Sequence, residues 1–340
     1  MNLFTRRKFI PILGTSILGI TSISLKNNES KVIPPIKPKH LKEGDTIAIC
    51  SPAGAMENRD DIYKFKTILE SLGLKVRIGE NIGKRYGYFS ASDEERASEF
   101  MNVISDKRIN GIFFIRGGWG CARILDLIDF EIIKKNPKVI MGFSDITSLL
   151  NAITAKTGLI TFHGPGGNST WNKYSIDYIE SLLFKGEKIK YNNLKSDHPI
   201  TCFSRGTTTG ILIGGNLSVL CSLIGSKYLH DWKNKILFLE DIKEEPYRID
   251  RMLTQLKLNR VFDKINGLVL GNFRDCIPKE PKKSFELKEV FEQHFKTFNK
   301  PVFYGSQIGH VKNKFTIPIG SLVKINSTQG TITLLENCVI

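Results

Sequence analysis

Residues 111–120 read Gly-Ile-Phe-Phe-Ile-Arg-Gly-Gly-Trp-Gly, an apolar run of strand length that leads directly into a glycine-rich turn. Residues 139–146, Val-Ile-Met-Gly-Phe-Ser-Asp-Ile, repeat this arrangement and continue into a helical pattern. Short apolar runs bounded by turn residues are typical of strands that are buried on both faces. The two stretches therefore predict two strands of a buried sheet, each followed by a turn.

The same alternation extends toward the amino terminus, where strands are predicted at Thr46–Cys50 and Lys75–Ile78. A helix over Asp60–Leu72 lies between them, and a capping box at Ser92 begins another that runs to about Ile104. This order is typical of a mostly parallel sheet with flanking helices, in which ligands bind at the carboxyl ends of the strands. We expect an N-terminal α/β domain over residues 39–170.

Residues 171–208 lose the regular alternation and are rich in Asn, Lys, Ser and Asp, which predicts an interdomain linker. Beyond it, apolar runs return at closer spacing and predict a C-terminal, strand-rich mixed α/β domain over 209–340. Strands are predicted at Gly210–Ile213, Ile236–Leu239, Ile265–Leu270, Val302–Tyr304, Leu322–Ile325 and Thr331–Leu334, and helices at Leu217–Leu223, Tyr247–Leu258 and Phe285–Phe295.

Length and composition narrow the class of protein. A chain of 340 residues with 41% hydrophobic and 24% charged residues has room for about two folded domains, which excludes a peptide hormone and wholesale disorder. The formal net charge of +15 is compatible with binding to a nucleic acid. The basic residues are spread as singles and pairs without an RNA-binding or helix-turn-helix signature, so we expect a solvated basic surface and no nucleic acid. Attraction to an anionic polymer such as cell-wall material is the second possibility.

Metal and disulfide chemistry find no support in the sequence. The six cysteines form no Cys-x-x-Cys pair, and the histidines form no His-Glu-x-x-His motif. We expect neither a metal centre nor another cofactor.

The first 24 residues resemble a twin-arginine export signal. Thr5-Arg6-Arg7-Lys8-Phe9-Ile10 precedes an apolar stretch that is too short and too polar to form a stable membrane span. A Pro-rich connector over 25–38 follows. We expect export to the periplasm, with a cytoplasmic location as the weaker alternative.

Ser144 lies at the predicted strand-to-helix turn, where a hydroxyl would be exposed beside helix N–H groups. Two roles fit it: a nucleophile, or the N-cap of the helix that follows. The usual hydrolase elbow, Gly-x-Ser-x-Gly, is excluded because Ile146 occupies the last glycine position. The turn Arg116–Gly120 matches neither dinucleotide nor P-loop patterns, although its glycines would let backbone N–H groups approach a ligand.

An acid and a histidine follow other predicted strands. Glu240 and Asp241 close one strand, and His310 follows a glycine-containing turn, while His163 is a second-rank candidate after the strand Ile160–Phe162. Each type of residue has a common structural role as well. A Ser, an acid and a His at strand ends are together what nucleophilic acyl transfer requires.

From about Lys39 onward the sequence resembles the LD-carboxypeptidase family of serine peptidases, the muramoyltetrapeptide carboxypeptidases. The resemblance rests on several ordered motifs: Gly-Asp-Thr-Ile-Ala-Ile at 44–49, Ser-Pro-Ala-Gly at 51–54, Arg-Gly-Gly-Trp-Gly at 116–120, Gly-Phe-Ser-Asp at 142–145, Gly-Gly-Asn-Leu at 214–217, Leu-Glu-Asp at 239–241, Pro-Tyr-Arg-Ile-Asp-Arg-Met at 246–252 and Gly-His at 309–310.

The resemblance implies a catalytic triad of Ser144 as nucleophile, Glu240 as carboxylate and His310 as base. It implies an oxyanion hole of backbone N–H groups from Asp145 and from the turn at Gly117 and Gly118. It further implies a muropeptide substrate, from which the terminal D-alanine after an L-diamino acid is removed, and commonly a homodimer. Side chains that could line the substrate pocket are Arg116, Asp145, Trp119 and His163.

Two alternatives stay open. One is a related serine amidase of the microcin self-immunity type, which cleaves an acylated nucleotide-like peptide conjugate. The other is an exported binding protein for peptides or muropeptides, in which the same Ser, Glu and His would serve only as ligand contacts.

Overall fold

Two sheets organise the chain in the computed structural model, which describes residues 33–194 and 199–340. The predicted export signal over 1–24 lies outside the described residues. Residues 33–340 cluster into one compact unit. Numbered along the chain, its strands are β1 Thr46–Cys50, β2 Lys75–Ile78, β3 Gly111–Phe114, β4 Val139–Gly142, β5 Thr161–His163, β6 Lys190–Tyr191, β7 Thr201–Ser204, β8 Thr207–Asn216, β9 Lys235–Ile242, β10 Gly267–Arg274, β11 Val302–Tyr304, β12 Ile317–Ile319, β13 Leu322–Asn326 and β14 Thr331–Leu334.

Nine α-helices flank these sheets within the described ranges. Some begin at a capping side chain, as the helix Asp93–Ser105 does: Ser92 Oγ accepts the Glu95 N–H at 3.2 Å, and Glu95 returns a bond to the Ser92 N–H at 3.0 Å. The helices are α1 Asp60–Ser71, α2 Asp93–Ser105, α3 Phe130–Lys135, α4 Ile146–Thr157, α5 Lys173–Ile179, α6 Leu217–Leu223, α7 Pro246–Leu258, α8 Val261–Lys264 and α9 Leu287–Phe295.

The first sheet has the strand order β12-β5-β4-β3-β1-β2. Strands β1 to β5 run parallel, and only β12 is antiparallel to its neighbour. Strands β3 and β4 are buried on both faces, as their unbroken apolar runs predict. The mostly parallel N-terminal sheet with flanking helices is confirmed.

The second sheet has the order β6-β14-β13-β8-β9-β10-β11-β7 and mixes both strand directions. Its centre, β8 to β11, is parallel, and antiparallel strands close both sides. The register pairs Asn216 at the end of β8 with Glu240 on β9. This is the strand-rich mixed α/β part expected from the C-terminal sequence.

The residues between the two expected domains and strand β12 both add strands to the sheets that local sequence patterns do not predict. The described residues of the expected linker over 171–208 contain α5, β6, β7 and the beginning of β8. Strand β12, which comes late in the chain, pairs with β5 in the first sheet. The domain boundaries at 39–170 and 209–340 stay a prediction.

Helix α4 fixes the two sheets relative to each other. Asn151 on this helix donates to the Gly214 carbonyl at 2.9 Å, and the Thr147 hydroxyl accepts the Asn216 N–H at 3.0 Å. All four groups are buried, so loss of either bond would leave unpaired polar atoms in the core. The turn that precedes α4 is thereby held against the ends of β8 and β9.

Candidate active site

Ser144 occupies the turn between β4 and α4 with a φ of 63°, in the left-handed region. This conformation costs a non-glycine residue roughly 1–2 kcal/mol and is concentrated at functional sites. The N-cap of α4 is Asp145, so the alternative role of Ser144 as N-cap is wrong. Within the described residues the Ser144 hydroxyl makes no hydrogen bond, which leaves it available to react.

The glycine-rich turn packs directly on this serine. A methyl group on Gly117 would lie 2.9 Å from Ser144 Cβ and 3.1 Å from the Asp145 backbone nitrogen. The Gly117 carbonyl accepts the Gly54 N–H at 3.0 Å, and Gly118 has a φ of 95°. In the described chain, the backbone N–H groups of residues 117, 118 and 145 donate to no protein acceptor. Gly117 adjoins the hydroxyl itself, because an added Cβ there would lie 3.1 Å from Ser144 Oγ.

Glu240 and His310 form a hydrogen-bonded pair, with 2.7 Å between Glu240 Oε2 and His310 Nδ1. The Glu240 side chain is completely buried, whereas His310 is 15% exposed. Burial raises the pKa of Glu240, but the charge and hydrogen bond of His310 outweigh it, so the net pKa is lowered. The ionised carboxylate favours the imidazole tautomer with a proton on Nδ1, which leaves Nε2 as the acceptor.

Asp241, the neighbouring acid, points to the other side of β9. Its carboxylate accepts the Asn216 amide at 3.0 Å and the Ser218 N–H at 2.9 Å. Burial raises the pKa of Asp241 to about 6. Strand alternation therefore assigns the histidine contact to Glu240 and a structural role to Asp241.

The Phe143 ring lies beside His310, with 4.8 Å between ring centroids. Both residues border an open cleft of about 950 Å³, a volume typical of small-molecule sites. In the part of the chain that the structure describes, no hydrogen bond joins Ser144 to His310. The residue that precedes Ser144 and the histidine of the pair thus border one cleft.

The three other side chains expected to line the substrate pocket, apart from Asp145, differ in exposure and in their contacts. Arg116 forms an ion pair with Glu57 at 2.9 Å. Trp119 is exposed at 42%, while His163 is only 1% exposed and packs between the rings of Phe143 and Phe238. Burial lowers the pKa of His163 to about 4. His163 is therefore a neutral group behind the cleft surface.

Asp145 turns its side chain away from the cleft and holds the glycine-rich turn, because its Oδ2 accepts the Cys121 N–H at 2.8 Å. Burial raises the pKa of this carboxyl to about 6. Fully buried Arg96 supports the same turn by donating to the Gly120 carbonyl at 3.0 Å. Sequence patterns did not single out Arg96, since an arginine on an amphipathic helix is usually solvated.

The described residues, 33–194 and 199–340, contain no group of three or more His, Cys, Asp or Glu side chains arranged to hold a metal ion. Over the same residues, no helix has the length and apolar character needed to cross a membrane.

Comparison with known proteins identifies the family. The family model described as LD-carboxypeptidase N-terminal domain matches residues 47–164, and the model of the C-terminal domain matches 209–325. The probable murein peptide carboxypeptidase of Bacillus subtilis (strain 168) is 34% identical over 302 residues, which cover 88% of this chain and 94% of that protein.

Solved structures agree with this match. A structure of the microcin C7 self-immunity protein MccF with glutamyl sulfamoyl guanosine has a TM-score of 0.83 at 27% identity, covering 90% of this chain and all of that one. The muramoyltetrapeptide carboxypeptidase of Oxalobacter formigenes has a TM-score of 0.74 at 28% identity, covering 85% and 97% of the two chains. The chain described here therefore belongs to the LD-carboxypeptidase family and is a peptidase.

Proposed function

We propose that this protein is a serine-type LD-carboxypeptidase that removes the terminal D-alanine from murein tetrapeptides. The observation that carries the proposal is the Glu240–His310 hydrogen bond, whose imidazole borders the same cleft as Phe143, the residue before Ser144. The names of two relatives, murein peptide carboxypeptidase and muramoyltetrapeptide carboxypeptidase, support the substrate class.

In this proposal the Ser144 hydroxyl attacks the carbonyl carbon of the bond to D-alanine, while His310 Nε2 takes the hydroxyl proton. Glu240 keeps the imidazole oriented and stabilises its charged form. The tetrahedral intermediate collapses when the C–N bond breaks, and His310 gives the proton to the departing amine. Water, deprotonated by His310, then attacks the acyl-enzyme, which releases the tripeptide and restores Ser144.

The negative oxygen of the tetrahedral intermediate needs hydrogen-bond donors. We assign this role to the backbone N–H groups of Asp145 and of the Gly117-Gly118 turn, in which Gly117 packs against Ser144 and the Asp145 nitrogen. Donors fixed by the fold need no reorganisation during the reaction, and loss of one typically costs about 10²–10³-fold in rate.

A second candidate is hydrolysis of an acylated nucleotide-like conjugate. It is supported by the similarity to MccF, whose solved complex holds glutamyl sulfamoyl guanosine. Both reactions are acyl transfers that the same residues could perform, so only the substrate separates them.

The test is mass spectrometry of a purified murein tetrapeptide and of an aminoacyl sulfamoyl adenosine, each incubated with the protein. Ser144→Ala is the inactive comparison, and Ser222→Ala, an exposed serine on α6, is the matched control. We expect loss of one alanine from the tetrapeptide with the wild type and Ser222→Ala only. Cleavage of the sulfamoyl conjugate alone would establish the second candidate, and no cleavage by folded protein would refute both.

We also propose that residues 1–24 direct export and that the protein acts in the periplasm as a homodimer. A fluorescent protein fused to residues 1–35 tests export, because retention in the cytoplasm of cells with an active twin-arginine pathway would refute it. Sedimentation equilibrium of the mature protein tests the dimer, which a monomer mass at micromolar concentration would contradict.

A further inference from the structure

Lys314 is a buried cation at the cleft that holds His310. The residue is only 4% exposed and follows His310 by four positions. Its ammonium lies 3.2 Å from Ser169 Oγ and 4.3 Å from the centre of the Phe143 ring. Among the described residues it has no carboxylate within ion-pair distance. Within the described ranges, one of its three N–H donors is used, by Ser169, and the other two have no acceptor.

Burying a charged amine without a paired counterion is costly and favours its neutral form. Burial lowers the pKa of Lys314 to about 8; Glu240 raises this pKa and Arg274 lowers it. The Ser169 hydroxyl also accepts the Gly166 N–H at 3.1 Å, so a fixed loop positions the ammonium. An ammonium held in this way at the edge of an open cleft has N–H donors available to an anion that enters the cleft.

The position of the Lys314 ammonium suits the terminal carboxylate that a carboxypeptidase must recognise. In a peptide substrate the terminal carboxylate carbon is separated from the scissile amide nitrogen by one Cα atom, a distance of about 2.5 Å. The group that binds this carboxylate must therefore lie close to the group that protonates the departing nitrogen. A single aromatic ring, that of Phe143, contacts both the Lys314 ammonium and the His310 imidazole.

The other cations at this cleft are less suited. The Arg274 guanidinium is 58% exposed and lies 3.4 Å from the Asp275 carboxylate. Lys312 is exposed, so water already solvates its charge. Lys314 alone among these three is buried, and a charge-assisted hydrogen bond from it would form in a low-dielectric environment.

We propose that Lys314 binds the α-carboxylate of the terminal residue of the substrate, with Ser169 holding its ammonium in place. This inference rests on the proposed carboxypeptidase function. Recognition of that carboxylate restricts cleavage to the last peptide bond and selects a free acid over a blocked C-terminus.

The test compares a murein tetrapeptide that has a free C-terminal carboxylate with its C-terminal amide. Lys314→Met keeps the length of the side chain and removes its charge, and Lys324→Met, at an exposed position of β13, is the matched control. We expect kcat/KM for the acid to fall about 10²–10³-fold in Lys314→Met, because the substrate carboxylate is left unpaired. The rate for the amide should change less than about threefold. Ser169→Ala should raise KM for the acid about tenfold and leave the amide unaffected.

Equal losses on acid and amide would overturn the proposal and give Lys314 a structural role. So would a loss seen only when the third residue is diaminopimelate rather than lysine, because the recognised carboxylate would then be that of the diamino acid. Cleavage by the wild type with an unaffected Lys314→Met variant would refute this proposal alone. No cleavage of either peptide by folded wild-type protein would refute the carboxypeptidase function together with it.

Discussion

Two strand-to-helix turns lie against each other in this protein, one between β4 and α4 and one between β8 and α6, and their polar residues are used differently. Asn216 in the second turn has a φ of −67° and caps α6 by accepting the Val219 N–H. Its amide group donates to Asp241. Ser144 in the first turn has a φ of 63° and caps nothing.

The comparison shows that Asn216 contributes to the stability of the fold, whereas Ser144 is held in its conformation by the rest of the fold. Asn216 is in a relaxed conformation, and its oxygen and nitrogen both have partners. Ser144 is strained, and its hydroxyl faces the glycine-rich turn with no partner in the described chain. Strain held by surrounding packing without any local gain is expected where a reactive group must be presented.

The largest expected effect comes from Ser144→Ala. Removing the nucleophile of a triad lowers turnover by about 10⁴–10⁶-fold, because the residual rate comes from binding and the oxyanion hole alone. The free energy of unfolding should change by less than about 0.5 kcal/mol, since the hydroxyl makes no hydrogen bond. Alanine release and urea unfolding measure the two quantities. Turnover within tenfold of the wild type would remove Ser144 from the mechanism.

The next effect is expected from Gly117→Ala. The new methyl group would press on Ser144 Cβ and on the Asp145 nitrogen, which should lower kcat by about 10²–10³-fold. Gly44→Ala is the control, because Gly44 has a positive φ but an added Cβ there meets nothing within 4 Å. The control should lose about 1 kcal/mol of stability and no activity. Equal turnover in both variants would contradict the assigned oxyanion site.

Each turn is also bonded to a buried acid with a raised pKa: Asp145 belongs to the first turn, and Asp241 of β9 accepts bonds from the second. Both acids contribute a pH dependence of stability. Asp145 and Asp241 have pKa values of about 6, raised by burial from the ordinary value near 4. The folded state binds their protons more tightly, so their contribution is present below about pH 4 and is lost as the pH rises to 6. We expect about 2–3 kcal/mol for each group.

Urea unfolding between pH 4 and 7 measures this dependence in the wild type, Asp145→Asn and Asp241→Asn. Each substitution should remove about half of the decline that the two acids cause. Glu240 acts in the opposite direction, because its pKa is lowered, and it is unchanged in these variants. An identical pH slope in all three proteins would show that neither carboxyl titrates in this range.

The smallest effect is expected from Asn216→Ala. Loss of the α6 cap and of the bond to Asp241 should lower the free energy of unfolding by about 1–2 kcal/mol. Thermal or urea unfolding measures it directly. If this substitution were neutral while Ser144→Ala destabilised the protein, the contrast between the two turns would be reversed.

Much of the sheet architecture could be predicted because local sequence patterns indicate the strands that form it. The unbroken apolar runs before Arg116 and Gly142 indicate buried parallel strands, and the Ser92 capping box gives the beginning of α2. Strands β6, β7 and β12 were not predicted. They have two to four residues each and depend on partners far away in the chain, which local periodicity does not record.

The residues of the candidate site could be predicted from the sequence, but their contacts and conformations could not. Sequence could not decide between the two roles of Ser144, because a serine before a helix is compatible with both and its positive φ is seen only in the folded turn. Nor could it decide which of Glu240 and Asp241 contacts His310. Lys314 had no signal at all, since nothing in a run of lysines and asparagines indicates which ammonium is buried.

The central claim is that Ser144 forms the acyl-enzyme, and intact-protein mass spectrometry of a trapped intermediate tests it most directly. The substrate is a murein depsipeptide in which D-lactate replaces the terminal D-alanine, because an ester acylates fast and lets the intermediate accumulate. Acid quenching soon after mixing should give a protein heavier by one tripeptidyl group, with the adduct on Ser144 after digestion and absent in Ser144→Ala. An adduct on another residue, or undiminished lactate release by Ser144→Ala, would contradict the account.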